Sequence, residues 1–233
     1  MSIISNNDTS QAVVYDQAAL SAFMKRVFMW LFSGLLVTGL VSMAVLSNPA
    51  FLFASAKVVM LLLIVEVGLV FFLAGKVMTM SPTVARIVFM VYSVINGVTI
   101  SFIVVQYAGA VISQAFMFTA LFFGILCLYG QFTTRDLSSM RTILFAGLIT
   151  VIIFSVVNLF LGNGMLNFFI SIVGLAVFVG LTAYDAQKIR TRYFPLALQT
   201  GRTENMAISC ALTLYLDFIN MFLFILRLLG GRK

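Results

Sequence analysis

Seven apolar runs, each about as long as a bilayer is thick, divide this 233-residue chain and leave it few folds to choose from. They occupy residues 27–46, 58–75, 87–107, 110–129, 142–161, 166–184 and 207–227. A hydrocarbon core about 30 Å thick takes ~20 residues of helix. No water reaches a backbone N–H or C=O there, so a spanning segment must close its own hydrogen bonds as a helix or join a closed barrel. These runs are about twice the length of barrel strands. With 62% hydrophobic and 9% charged residues, the chain reads as an all-α integral membrane protein, a single bundle of seven transmembrane helices.

The division this implies is a polar cytoplasmic N-terminal tail over residues 1–26, a transmembrane domain over 27–229 and a short basic tail over 230–233. The first apolar run is too long for the core of a signal peptide, so the tail and first helix are expected to be retained. Pro49, Pro82 and Pro195 all fall between the runs, where a missing amide donor does no harm.

Lys and Arg near helix ends stay preferentially in the cytoplasm. With the N-terminus inside, ten of the 14 cations fall on that side: Lys25, Arg26, Lys76, Arg86, Arg135, Arg141, Lys188, Arg190, Arg192 and Arg202. Lys57, Arg227, Arg232 and Lys233 fall on the other. A last segment that re-entered instead of crossing would bring the C-terminal cations inside as well. The net charge of +7 is spread over short loops rather than packed into runs, so nucleic acid is not expected as a partner. The Lys188, Arg190 and Arg192 cluster is placed to meet anionic headgroups at ~1 kcal/mol per cation.

Much of enzymology is excluded by what the chain lacks. It has no histidine, so a His general base, a His-ligated zinc and a His-ligated haem are all out of reach. No glycine-rich loop opens a helix after a strand. Cys127 and Cys210 lie in apolar segments and read as packing residues. No enzyme activity and no cofactor are expected. The remaining chemistry is that of carboxylates in a low dielectric.

Of seven acids, three fall in or beside apolar runs: Glu66, Asp185 and Asp217. An Asp at the middle of a membrane helix costs ~2.5 to 3.5 kcal/mol on insertion scales, so its default role is a proton, ion or substrate site turned to the protein interior. Glu66 is equally well a hydrogen-bonded structural acid or a pathway ligand. Asn220, three residues after Asp217, shares its helix face and is expected to support it. Asn96, Thr99, Ser101 and Asn158 read as interhelical polar contacts of ~0.6 kcal/mol each. By helix rise, Asp217 lies ~15 Å into the membrane, whereas Asp185 follows the last residue of its run. On that count the two need not meet.

Two carboxylates on neighbouring helices also suggest an intramembrane aspartyl protease, and Tyr184-Asp185 fits half of that pattern. The other half fails. Asp217 follows Leu214-Tyr215-Leu216 instead of Gly-x-Gly, and no Pro-Ala-Leu turn comes after it.

The segments Gly180-Leu-Thr-Ala-Tyr-Asp-Ala-Gln-Lys188, Ala211-Leu-Thr-Leu-Tyr-Leu-Asp-Phe-Ile-Asn220 and Arg227-Leu-Leu-Gly230 resemble the Bax inhibitor family, in its bacterial inner-membrane branch. Tyr92-Ser-Val-Ile-Asn-Gly-Val-Thr-Ile-Ser101 and Tyr129-Gly-Gln-Phe-Thr-Thr-Arg-Asp-Leu137 extend the resemblance to nearly the whole chain from about Lys25. It implies a seven-helix bundle with the last helix central, and a pH-sensitive calcium leak gated by an aspartate pair, Asp185 and Asp217. Glu66 matches a glutamate of the second helix in some members. Lys76 loosely matches a basic residue at that helix's cytoplasmic end, where it would latch onto Asp185. Calcium would be the transported species, touched by both aspartates. Bacterial relatives have also been linked to a non-conducting role, regulating a membrane-bound quality-control protease.

The physics of such a gate is simple. Two carboxylates within a few ångströms in low dielectric cannot both ionise cheaply, so they share a proton, which ties one helix to the other. At higher pH both ionise, repel, and offer the oxygen ligands calcium prefers. Deprotonation is expected to open the path, and protonation to close it.

Overall fold

The computed structural model of the chain describes residues 6–48 and 56–231. Its elements are α1 (Asn6–Leu46), α2 (Ala56–Lys76), α3 (Pro82–Val104), α4 (Gly109–Phe132), a 3-10 turn (Leu137–Met140), α5 (Arg141–Leu161), α6 (Gly164–Lys188), a π-helical turn (Ile189–Tyr193), α7 (Phe194–Thr200) and α8 (Thr203–Gly230). No strand occurs among the described residues.

Among those residues six helical stretches are long and apolar enough to cross a membrane: Gln17–Leu46, Pro82–Val104, Gly109–Phe132, Leu137–Leu161, Gly164–Thr200 and Thr203–Gly230. The expected crossing at 58–75 forms α2, which is not one of the six. Among the described side chains of α2 only Glu66 and Leu73 are buried. Its helix lies against α3.

Local chemistry sets the helix ends. Ser81 accepts from the Val84 N–H at 3.4 Å and Pro82 opens α3, where no donor is needed. Asn163 Oδ1 accepts from the Met165 and Leu166 N–H groups and starts α6. Gly162 ends α5 at φ 60°, a conformation that other residues adopt at a cost. Pro82 and Pro195 thus sit in the first turns of helices and not in the links between them; Pro49 is outside the described residues.

Two expected boundaries shift. The division at residue 26 falls inside α1, which runs unbroken from Asn6, and Phe23 and Met24 are already buried in the bundle. The run that ends at residue 184 continues as helix through Lys188, a π turn and α7. The π turn lets this happen: the Phe194 N–H reaches back to the Ile189 carbonyl, a one-residue bulge just before Pro195. Polar Lys188, Arg190 and Arg192 together with a proline read as a loop, but a π bulge absorbs both.

α8 borders α1, α3, α4 and α6. In its apolar window 72% of residues are buried, against 11% for Leu137–Leu161. The latter turns Ile143, Leu159 and Phe160 outward, at 75% exposure or more, as a lipid-facing helix should. Small residues bring backbones together: a Cβ on Gly97 would lie 2.7 Å from the Thr38 carbonyl oxygen, so α1 and α3 meet there almost backbone to backbone.

Candidate functional site

Antiparallel packing of α6 on α8 places the two aspartates. The Phe178 and Phe224 rings lie 5.9 Å apart, and Thr182 Oγ1 is 3.4 Å from Met221 Sδ. Continuing that register by one turn puts Asp185 opposite Asp217 and Phe218. Both acids are buried, with 8% and 4% of their surface exposed. The mismatch of depth expected from the sequence disappears because α6 does not end at residue 184. Asp185 lies within the stretch Gly164–Thr200.

The charged groups acting most strongly on Asp217 are Asp185 and then Lys188, and Cys127 of α4 also faces it. Asp185 is paired with Lys188 at 3.9 Å, and the ammonium sits over the rings of Tyr184 and Tyr193 at 5.5 and 4.9 Å. No hydrogen bond joins the two aspartates among the described residues. Asp217 Oδ2 is buried with no hydrogen-bond partner there, as is the Tyr184 hydroxyl. An unmet buried acceptor costs ~1 to 3 kcal/mol, more if charged. That cost is lowest when the carboxyl is protonated.

A resident calcium site needs six to eight oxygens. Among the described residues no group of three or more acidic, His or Cys side chains gathers, so the two aspartates alone fall short of one.

Glu66 belongs to a second polar system. It accepts from Asn96 Nδ2, and the Thr99 and Tyr92 side chains also face it. Asn96 Oδ1 accepts from the Tyr215 hydroxyl at 2.9 Å; that hydroxyl lies 2.6 Å from Thr38 Oγ1, which reaches the Ser93 carbonyl at 2.9 Å. Four helices are thereby joined: α2, α3, α8 and α1. Tyr215 and Thr38 bring two hydrogens to three contacts, so one contact lacks its proton at any moment. The row has more than one arrangement of hydrogens.

Two expected roles are not met. Asn220 does not support Asp217; its amide donates to the Leu216 carbonyl of its own helix at 2.7 Å. Three residues along a helix share a face, but the carbonyl one turn back is nearer. Lys76 is exposed at the end of α2, and the cation that pairs with Asp185 is Lys188. A partner one helical turn away needs no reach across the bundle.

Glu204 was not singled out from the sequence, being at the polar edge of the last run. It accepts from the Trp30 indole N–H at 3.0 Å and from Arg86 Nε at 3.0 Å, with Arg26 at 3.7 Å. Asn205 beside it donates to the Val77 and Met80 carbonyls at 2.6 and 3.1 Å. These residues tie the start of α8 to α1, α3 and the 77–80 turn. The signal was an acid in the first turn of the last helix, where the helix dipole favours it.

Known proteins resemble the chain over nearly its whole length. The family described as Inhibitor of apoptosis-promoting Bax1 matches residues 20–233. Inner membrane protein YbhL of Escherichia coli K12 is 38% identical over 230 residues, covering 96% of this chain and 97% of its own. An uncharacterized protein of Borreliella burgdorferi is 38% identical over 214 residues, 91% of this chain and 92% of its own. Uncharacterized protein RP147 of Rickettsia prowazekii is 35% identical over 227 residues, 97% and 95%.

Proposed function

Since the chain belongs to the Bax inhibitor family of membrane proteins, we propose that it is a pH-sensitive calcium leak whose gate is the pair Asp185 and Asp217. The observation that carries this reading is the placement of the two carboxylates: buried, level with each other on antiparallel neighbours, and with one oxygen of Asp217 unpartnered. A module that only bound partners would have no use for an acid there, given its insertion cost of ~2.5 to 3.5 kcal/mol.

In this reading a proton held on the pair at low pH keeps α6 against α8. Its loss leaves two like charges side by side with a single ammonium, Lys188, between them and the basic end of the bundle. Repulsion separates the helices, and the freed carboxylate oxygens pass calcium along. Glu66 and its row of hydroxyls hold α2 to α8 while α6 moves. The full bundle has seven crossings with α8 at the centre, α2 included; it lies in the inner membrane, as the name of its relative in Escherichia coli says of that protein. Ten cations at the basic end favour a cytoplasmic N-terminus. No catalytic step is assigned to any residue.

The test is calcium entry into liposomes carrying the purified protein and an internal dye, at pH 6 and pH 8, with sodium and proton gradients as controls. Faster entry at the higher pH supports the reading. Absence of calcium flux at both pH values would leave the regulator of a membrane protease as the better account.

A further inference from the structure

At the basic end of the bundle, beside the proposed gate, the 133–138 loop and the π-helical turn border a half-open cavity of about 430 Å³. We infer that this cavity binds a phosphate-bearing anion, held chiefly by Arg135 and Arg192.

The walls are fixed before any ligand arrives. Gln187 receives the Leu137 N–H at 2.9 Å and donates to the Arg135 carbonyl at 2.7 Å. Arg190 donates to the Thr133 carbonyl at 3.1 Å. The loop is thus fastened to α6 and to the turn that follows it, and the cavity between them keeps its shape.

Charge decides the ligand class. Arg135, Lys188, Arg190 and Arg192 line the cavity, against one acid, Asp136. Asp136 is largely occupied: it takes the Ser138 N–H at 2.9 Å and the Ser138 hydroxyl at 2.7 Å. Lys188 is held by Asp185 and Arg190 by a carbonyl. The guanidinium groups of Arg135 and Arg192 make no hydrogen bond among the described residues, although Arg192 acts on Asp136 through space. Two open guanidinium forks in a pocket with surplus positive charge suit the several oxygens of a phosphate, which they can grip in pairs. A free phosphate compound and a phospholipid headgroup share this chemistry. The occupant would also compete with Asp185 for Lys188, which faces both.

The experiment uses the full-length protein with two probes, inorganic pyrophosphate in detergent and vesicles with or without phosphatidylglycerol, and reads the thermal unfolding midpoint. Saturable stabilisation by pyrophosphate is expected, weakened roughly tenfold by R135Q or by R192Q and unchanged by K25Q. Stabilisation by phosphatidylglycerol alone, with the same loss in the two variants, supports the site and names the lipid as its source. Helical circular dichroism confirms that each variant is folded; both arginines are exposed. No response to either probe, or an equal response in wild type and in both variants, overturns the assignment. Calcium flux plays no part in the readout, so the failure of the gate and the failure of this site are distinguishable.

Discussion

Asp217 stands opposite Asp185 across the α6–α8 interface, and only Asp185 has a cation, Lys188 at 3.9 Å. The pair is therefore unequal. One carboxylate has a partner that follows the helix end, while the other keeps a buried oxygen with none. Lys188 acts on Asp217 only through space, after Asp185.

The row from Glu66 to Ser93 gives a stability test away from the gate. Tyr215→Phe removes the hydroxyl that meets both Asn96 and Thr38, at an expected cost of about 1 to 2 kcal/mol. Asn96→Ala removes the donor to Glu66 and should cost at least as much. Because the two residues touch, thermal unfolding of the double variant in detergent should be less destabilised than the sum of the singles. Strict additivity would show that the row is not a connected unit.

Close packing of α4 on α6 depends on Gly130. A Cβ there would run into the Ala183 carbonyl oxygen and lie 2.8 Å from the Ala186 Cβ, while Gly124 has nothing within 4 Å. Gly130→Ala should destabilise by about 1 to 3 kcal/mol, and Gly124→Ala should be neutral or gain up to about 1 kcal/mol from helix propensity. Unfolding midpoints compare the two directly.

Glu204 is reported on by Trp30, the single tryptophan of the chain. Glu204→Ala breaks the 3.0 Å bond to the indole N–H and should shift Trp30 emission. Glu204→Gln keeps a hydrogen-bond acceptor and loses only the charge, for less than about 1 kcal/mol, since Arg26 and Arg86 are about half exposed. An unchanged spectrum in Glu204→Ala would place Trp30 elsewhere.

Asp136 titrates apart from the membrane. Bonds from the Ser138 side chain and backbone, with Arg192 nearby, hold its carboxyl below the ordinary value of 3.8. A depressed folded value means that the stabilisation it brings to the 3-10 turn is present above the unfolded value and fades as pH falls through the folded one. Carboxyl-detected NMR should find that value below 3.8, and Ser138→Ala should raise it. A value at or above 3.8 in the wild type would remove the capping role.

Much of this was legible in the chain. Long apolar runs can only be helices in lipid, and acids inside them are rare enough to be conspicuous, so Asp217 and Glu66 stood out from composition alone. The partnership of Asp185 with Asp217 followed only from the family resemblance and not from counting helix rise, because Lys188, Arg190, Arg192 and Pro195 look like a loop, and only a π bulge shows that the helix carries on. Asn220 misled because sharing a face does not fix which acceptor an amide chooses. Glu204 was hidden by its ordinary setting at a helix start; its three partners come from residues far away in sequence. Asn96 was seen, but as generic glue, since nothing in one helix reveals that its two amide ends reach two others.

Calcium flux into proteoliposomes across pH 6 to 8, compared among wild type, Asp217→Asn and Asp185→Asn, tests the gate most directly. The account expects flux in the wild type to rise with pH, and each Asn variant, unable to gain the second charge, to lose most of that rise. A pH response unchanged in both variants would contradict it.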